Sequence, residues 1–253
     1  MGYKETYNRW LTSDVVDDDT KAELKSIENN EKEIEERFYR ELEFGTAGMR
    51  GIIGAGTNRI NIYNVRRASQ GVAKYVLSNG EDAAKAGVLI GYDTRNFSRT
   101  FAEETAKVLT CAGVKTYLFP IVHSVPEVSF GIRELGCSAG VMITASHNPK
   151  EYNGYKVYGP DGGQLPPDAA DVVVAAIDSY DIFDDVKFIS LDDAKEKGLL
   201  EIVSSDLDEK FLDVVQTQQQ NPEAVAEVAD TFKLIYTPFH GTGSRPIKAI
   251  LNR

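Results

Sequence analysis

Apolar residues in the first forty positions recur at helical intervals. Leu24, Ile27, Ile34 and Phe38 are spaced 3, 7 and 4 apart, with Trp10 and Leu11 ahead of them. This predicts an acidic amphipathic helix over residues 1–40, an extension packed on a main domain. From Phe44 onward the pattern alternates between short apolar runs and longer periodic stretches. Strands are predicted at Gly48–Ile53, Gly87–Tyr92, Val114–Phe119, Ser138–Thr144 and Gly154–Tyr158. Helices are predicted over Val65–Leu77, stopped by Asn79-Gly80, and from a Ser98 cap through Phe101, Thr105, Val108 and Ala112. Others follow with Pro126 in a first turn and Gly136 at the end, over Pro166–Tyr180, and after an Asp206/Glu209 capping pattern. Strands alternating with helices indicate an α/β layered domain: a mixed sheet sandwiched between helices. Residues 218–230 read as a polar linker. Thr231–Tyr236 reads as a new strand, followed by a loop and a short helix to Arg253. The expected organisation is an extension (1–40), a main domain (41–217), a linker (218–230) and the opening of a second, similar domain (231–253).

The 253 residues, 42% hydrophobic and 26% charged, exclude a disordered or fibrous chain. No run approaches the ~20 apolar residues of a membrane helix. The N-terminus is polar, and two isolated cysteines, Cys111 and Cys137, build neither a disulfide framework nor a zinc site. A cytoplasmic protein is expected. Charge changes the picture in one respect. The net −11 is carried by residues 161–213, with 15 acids and 4 bases, whereas residues 41–160 hold 13 bases and 10 acids. Nucleic acid and anionic membranes are therefore unexpected partners, while a small phosphorylated ligand suits the basic central segment.

Candidate chemistry gathers at strand ends. Thr144-Ala145-Ser146-His147-Asn148-Pro149 follows a buried strand, the position where α/β proteins place ligand sites. Ser146 and His147 are adjacent, but adjacent side chains usually diverge and no Gly-x-Ser-x-Gly elbow is present, so a hydrolase triad is not expected. Phe44-Gly45-Thr46-Ala47-Gly48-Met49-Arg50-Gly51 offers backbone amides for close approach to a phosphate, plus a guanidinium fork. Asp93 and Arg95 follow another strand, Lys156 lies ten residues after Ser146, and Gly159–Gly163 reads as a turn. Taken singly, each segment reads at least as well as a turn, a surface ion pair or a solvated lysine.

Together and in this order, the Ser146 loop, Asn153-Gly154-Tyr155-Lys156, Gly45–Gly51 and Tyr236-Thr237-Pro238-Phe239-His240-Gly241-Thr242-Gly243 resemble the N-terminal part of the α-D-phosphohexomutases, the phosphoglucomutase/phosphomannomutase superfamily. The form of the Gly45–Gly51 segment and the helical extension look most like phosphoglucomutases of the longer bacterial type. The resemblance implies a three-layer α/β/α first domain and interconversion of hexose 1-phosphate and hexose 6-phosphate. A phosphate would be carried on Ser146, with glucose 1,6-bisphosphate as intermediate and activator and Mg2+ as metal. It further implies Lys156 as general acid/base, His147 and Arg50 beside the phosphate, and Thr46, Gly48, Arg95 and Asn148 as phosphate or substrate contacts. The phosphoserine oxygen at Ser146 would be a metal ligand.

One departure matters. The family's metal loop, Asp-x-Asp-x-Asp, occurs nowhere in this sequence, and Asp17-Asp18-Asp19 and Asp184-Asp185 lack its alternation. An N-terminal piece of a mutase, inactive alone and without the remaining mutase domains, is therefore expected. A non-catalytic phosphosugar-binding or interaction module is the alternative. A nucleotide site is disfavoured: no Gly-x-x-x-x-Gly-Lys-Ser/Thr loop exists, and Pro246 replaces the third glycine of a dinucleotide fingerprint.

Overall fold

The first forty residues form three short helices, α1 (Tyr3–Thr12), α2 (Asp18–Ser26) and α3 (Glu31–Phe38), where one amphipathic helix was expected. Asp17 and Asn30 each accept a hydrogen bond from a backbone N–H three residues on, and these caps restart the helix twice. The apolar set nevertheless converges. Trp10, 1% exposed, meets Phe38, Tyr63 and Phe183 edge-on at ring separations of 5.2–5.8 Å. The Arg9 guanidinium forks onto Asp181 at 2.7 and 2.8 Å, fastening α1 to the main body.

The computed structural model describes residues 2–45 and 48–253. After α3 come β1 (Phe44–Gly45), β2 (Gly48–Ile52), α4 (Ile62–Ser78), α5 (Glu81–Ala86), β3 (Val88–Tyr92) and α6 (Ser98–Cys111). Next are β4 (Thr116–Leu118), α7 (Val125–Glu134), β5 (Ala139–Ile143), β6 (Tyr152–Tyr158), α8 (Pro167–Ser179), α9 (Leu191–Glu196), β7 (Leu200–Ile202) and α10 (Asp206–Gln216). The seven strands form one mixed sheet in the order β1-β2-β6-β5-β3-β4-β7. β5, β3, β4 and β7 run parallel, whereas β6 is antiparallel to both β5 and β2.

Both faces are covered, so β3 and β5 are buried at every position and read as unbroken apolar runs. Val88 and Ile90 point into a core built with α4, α6 and α8, whereas Leu89 points the other way onto Val128 and Ile132 of α7 and Leu207 of α10. The result is the expected three-layer α/β/α sandwich. Elements α5, α9 and β7 had no sequence signal, being too short to show a period.

Three local expectations are corrected. Ser98 is the first residue of α6 and does not cap it; Phe97 precedes it in a left-handed conformation, φ 64°. The Ser98 hydroxyl donates instead to Asp93 at 2.7 Å. Helix α10 starts after Ser205 without a side-chain cap, so Asp206 and Glu209 serve only as acids favourable to the first turn. Residues 231–236 form no strand: Phe232, Leu234 and Ile235 are 66%, 57% and 95% exposed, and the backbone pairs with no described strand. A strand needs a neighbour to satisfy its backbone, and this segment meets none. Within the expected linker, Asn221 and Pro222 start a fully exposed helix, α11 (Pro222–Val228). Helix α12 (Ser244–Leu251) then returns to α10, where Arg245 reaches Asp208 at 2.8 Å and Arg253 reaches Asp213 at 2.6 Å. Among the described residues no helix is long and apolar enough to cross a membrane.

Candidate active site

The Ser146 loop leaves the end of β5, the middle strand of the sheet, and returns as β6. Thr144 and Ala145 are buried and anchor the loop, whereas Ser146 and His147 are exposed. Ser146 has a left-handed backbone, φ 57°, uncommon for a residue with a Cβ. Its N–H donates to Thr144 Oγ1 at 3.0 Å, which helps hold that conformation. The turn also brings Ser146 Oγ to 3.3 Å from His147 Nδ1. Neighbouring side chains were expected to diverge; the positive φ makes them converge. Among the described residues no carboxylate hydrogen-bonds the histidine's far nitrogen, so the pair is not a Ser-His-acid triad.

Lys156 comes from β6, the strand paired with β5, and Arg50 from β2, the next strand out. Arg50 on β2 is paired with Gly154 on β6, and its guanidinium donates to Asn148 Oδ1 at 2.8 Å. Lys156 on β6 is half-buried opposite Met142 of β5, and its pKa is lowered. Burial is the largest cause and the Arg50 charge the second, partly offset by Asp93. Gly48 supports this arrangement from behind. Its φ is +106°, and a Cβ there would lie 1.9 Å from the Tyr155 carbonyl oxygen, beside the backbone that carries Lys156. Gly48 thus lets β2 approach β6 closely. Thr46 lies outside the described residues.

Arg95 lies under the loop. One terminal nitrogen donates to the carbonyls of Pro149 and Tyr152 at 2.9 and 3.1 Å, the other to those of Ser146 and Asn148 at 2.7 Å each. Asp93, read from sequence as one half of a surface ion pair, is 12% exposed and faces Arg95 Nε at 3.4 Å. Its other oxygen accepts from the Arg95 N–H at 3.0 Å and from Ser98. Sequence reasoning missed Asn153 as a support: it is fully buried and donates to the Asn96 carbonyl and to Ser98 Oγ, both at 2.9 Å. The signal available was an Asn between Tyr152 and Gly154 at the start of a predicted strand.

A cleft of about 660 Å³ opens beside the serine, bounded by Ser146, Asn148, Thr94, Ser124 and, across from them, His240 and Thr242. Thr94 Oγ1 donates to the His240 carbonyl at 2.7 Å, joining its two walls. The N-terminal end of α7 faces the cleft with Ser124 and Val125, and a helix start favours an anion. The volume suits a small molecule. An exposed hydroxyl at the rim, with His147 at 3.3 Å and the Arg50 guanidinium on Asn148 of the same loop, can accept and hold a phosphate.

Comparison with known proteins agrees with this geometry. The family model described as "Phosphoglucomutase/phosphomannomutase, alpha/beta/alpha domain I" matches residues 41–182. The phosphoglucomutase of Staphylococcus haemolyticus (strain JCSC1435) is 40% identical over 217 residues, covering 86% of this chain and 38% of that protein. A Schizosaccharomyces pombe protein named "Probable phosphoribomutase" is 36% identical over 250 residues, 95% of this chain and 40% of its own length. The crystal structure of pp63/parafusin, a phosphoglucomutase from Paramecium, shares the fold with a TM-score of 0.62 at 18% identity, over 84% of this chain and 42% of that one. The chain thus spans about two fifths of the curated relatives it matches. A family match over more than half the chain, on the same sheet that carries the Ser146 loop, places this protein in the phosphoglucomutase/phosphomannomutase family.

Proposed function

We propose that this chain is the phosphate-carrying part of a phosphohexomutase, an intramolecular phosphotransferase that interconverts hexose 1-phosphate and hexose 6-phosphate. The observation that carries the reading is Ser146. It is an exposed hydroxyl held in a left-handed conformation at the end of the central strand, with Lys156 on the adjacent strand β6 and Arg50 on β2, the next strand out. In the forward transfer a sugar hydroxyl oxygen bonds to phosphorus as the bond from phosphorus to Ser146 Oγ breaks. The hydroxyl's proton is taken up by the Lys156 amine, and the leaving serine oxygen takes a proton from the solvent to which it is exposed. The bisphosphate so formed returns its other phosphate to Ser146. Lys156 suits proton transfer because its lowered pKa makes the neutral amine accessible. Arg50, held by Asn148, and His147 compensate the phosphate charge; Gly48 permits the strand approach that sets Lys156 in place. Alignment and charge compensation are what phosphoryl transfer chiefly requires.

The implied Mg2+ finds little to hold it among the described residues of the cleft. Asp93 is the carboxylate bounding the cleft, and it is committed to Arg95 and Ser98. A magnesium ion wants about six oxygens in near-octahedral array, and a phosphoserine offers one or two. The described residues of the cleft therefore do not form the metal's site, and no step here is assigned to it. Within this reading residues 1–40 are an N-terminal extension, 41–217 the first mutase domain, 218–230 a connection and 231–253 the opening of a second domain. A phosphorylated hexose is the partner and the cytoplasm the setting. The experiment is intact-mass analysis of residues 1–253 mixed with glucose 1,6-bisphosphate, which asks for one phosphate transfer and not for the mutase turnover that this piece is expected to lack. Uptake of one phosphate, absent in Ser146→Ala, supports the reading. Binding of the bisphosphate with no uptake in either protein would favour a phosphosugar-binding module instead.

A further inference from the structure

We infer that Arg95 is a positioning residue that fixes the peptide of Ser146 for reaction and makes no contact with the substrate phosphate. The inference rests on Ser146 as the phosphate carrier. The implied role of Arg95 was a phosphate contact, but its donors are already committed. A guanidinium has five N–H groups. The four on its terminal nitrogens meet the carbonyl oxygens of Ser146, Asn148, Pro149 and Tyr152, all within 3.1 Å. The fifth, on Nε, faces Asp93. The side chain is 13% exposed, so an added phosphate would have to displace a bond already made in a protected place. The four carbonyls span the whole turn from β5 to β6, and one of them belongs to Ser146 itself. Asp93 extends the support backward: it accepts from Ser98 Oγ, which in turn accepts from Asn153 on β6. Arg95 is therefore the hub joining the end of β3, the start of α6 and the serine loop. A lysine there keeps the charge but cannot present four N–H groups in one plane.

The test uses residues 1–253 and two readouts. In the first, glucose 1,6-bisphosphate donates a phosphate to Ser146. The bond from phosphorus to the sugar oxygen breaks, one to Oγ forms, and the serine proton ends on the sugar. In Arg95→Lys the maximal uptake rate is expected to fall on the order of a hundredfold, the cost of misplacing a reacting group by about 1 Å. The half-saturating bisphosphate concentration is expected to stay unchanged. In Arg95→Ala, added guanidinium ion should restore part of the rate where ammonium does not. In the second readout, amide hydrogen exchange across residues 145–152 should quicken in both variants while that of β3 stays slow. An unchanged maximal rate with a raised half-saturation would overturn the inference, making Arg95 a ligand contact. So would unchanged loop exchange. If the unaltered protein takes up no phosphate, the phosphoserine reading fails, and the exchange measurement alone decides the role of Arg95.

Discussion

Arg50 and Lys156 stand diagonally across the antiparallel pair β2 and β6: Arg50 is registered with Gly154, and Lys156 is two residues further along the same face. The guanidinium charge and burial together hold the Lys156 pKa below the ordinary 10.5. Arg50→Gln should therefore move that pKa back upward, though not fully, because burial is the larger cause. Titration of the lysine side-chain resonances by NMR measures it, and an unmoved pKa would show that the two charges do not interact. The linked stability has a definite sign. In the window between the lowered value and 10.5 the unfolded chain binds more protons at this lysine than the folded one. Its contribution therefore rises with pH there and is unfavourable below.

Exchanging the cations should separate their roles. Lys156→Arg keeps a charge but removes the group that can lose a proton, so phosphate transfer to a sugar hydroxyl should slow by about 10²–10⁴, the range of general acid–base catalysis. Arg50→Lys keeps a charge but loses the planar guanidinium and its hydrogen bond to Asn148, so it should weaken bisphosphate binding more than the transfer step. Rapid-mix intact-mass measurements report both. Equal effects of the two exchanges on binding and transfer would mark both residues as general electrostatic contacts.

Ser146→Gly should abolish phosphate uptake without loss of stability, and stability should rise by up to about 1 kcal/mol. Glycine occupies the left-handed region at φ 57° without the Cβ penalty. Urea unfolding compares the variants. A clear destabilisation would mean that the hydroxyl, and not the backbone turn, anchors the loop.

Gly48 and Gly80 both have positive φ, +106° and +98°, yet their surroundings differ. A Cβ at Gly48 meets the Tyr155 carbonyl at 1.9 Å, while one at Gly80 meets nothing within 4 Å. Gly80→Ala should cost about 1–2 kcal/mol in backbone strain. Gly48→Ala should cost more than about 4 kcal/mol, because β2 must move off β6. Equal losses in denaturant unfolding would refute the close approach.

Trp10 is the protein's single tryptophan, so its emission reports on the docked helices alone. Phe183→Ala removes one of its edge-on neighbours and should cost about 3–5 kcal/mol, with the emission shifting to the red. An unshifted emission would mean that α1–α3 do not depend on this contact.

The sequence by itself determined the layered class, because strands buried on both faces must be apolar throughout, as at Leu89–Tyr92 and Val141–Ile143. It also located the Ser146 loop, because a cluster of small and polar residues directly after such a strand has to emerge at its end. Local apolar spacing marked Trp10, Leu24, Ile34 and Phe38 as core, but not that caps at Asp17 and Asn30 would divide them among three helices, nor that Tyr63 and Phe183 would complete the cluster. Where each cation sits, by contrast, was set by tertiary packing. Arg50 and Arg95 read alike in the chain, each an arginine near glycine, one within the expected strand Gly48–Ile53 and one just after Gly87–Tyr92. Strand register carries one to the rim beside Asn148, and the turn after β3, the parallel neighbour of β5, buries the other among the loop's carbonyls. The same reason explains Thr231–Tyr236. Its composition favours a strand, but a strand is a pairing between segments, and the fold brings none of the described strands alongside it.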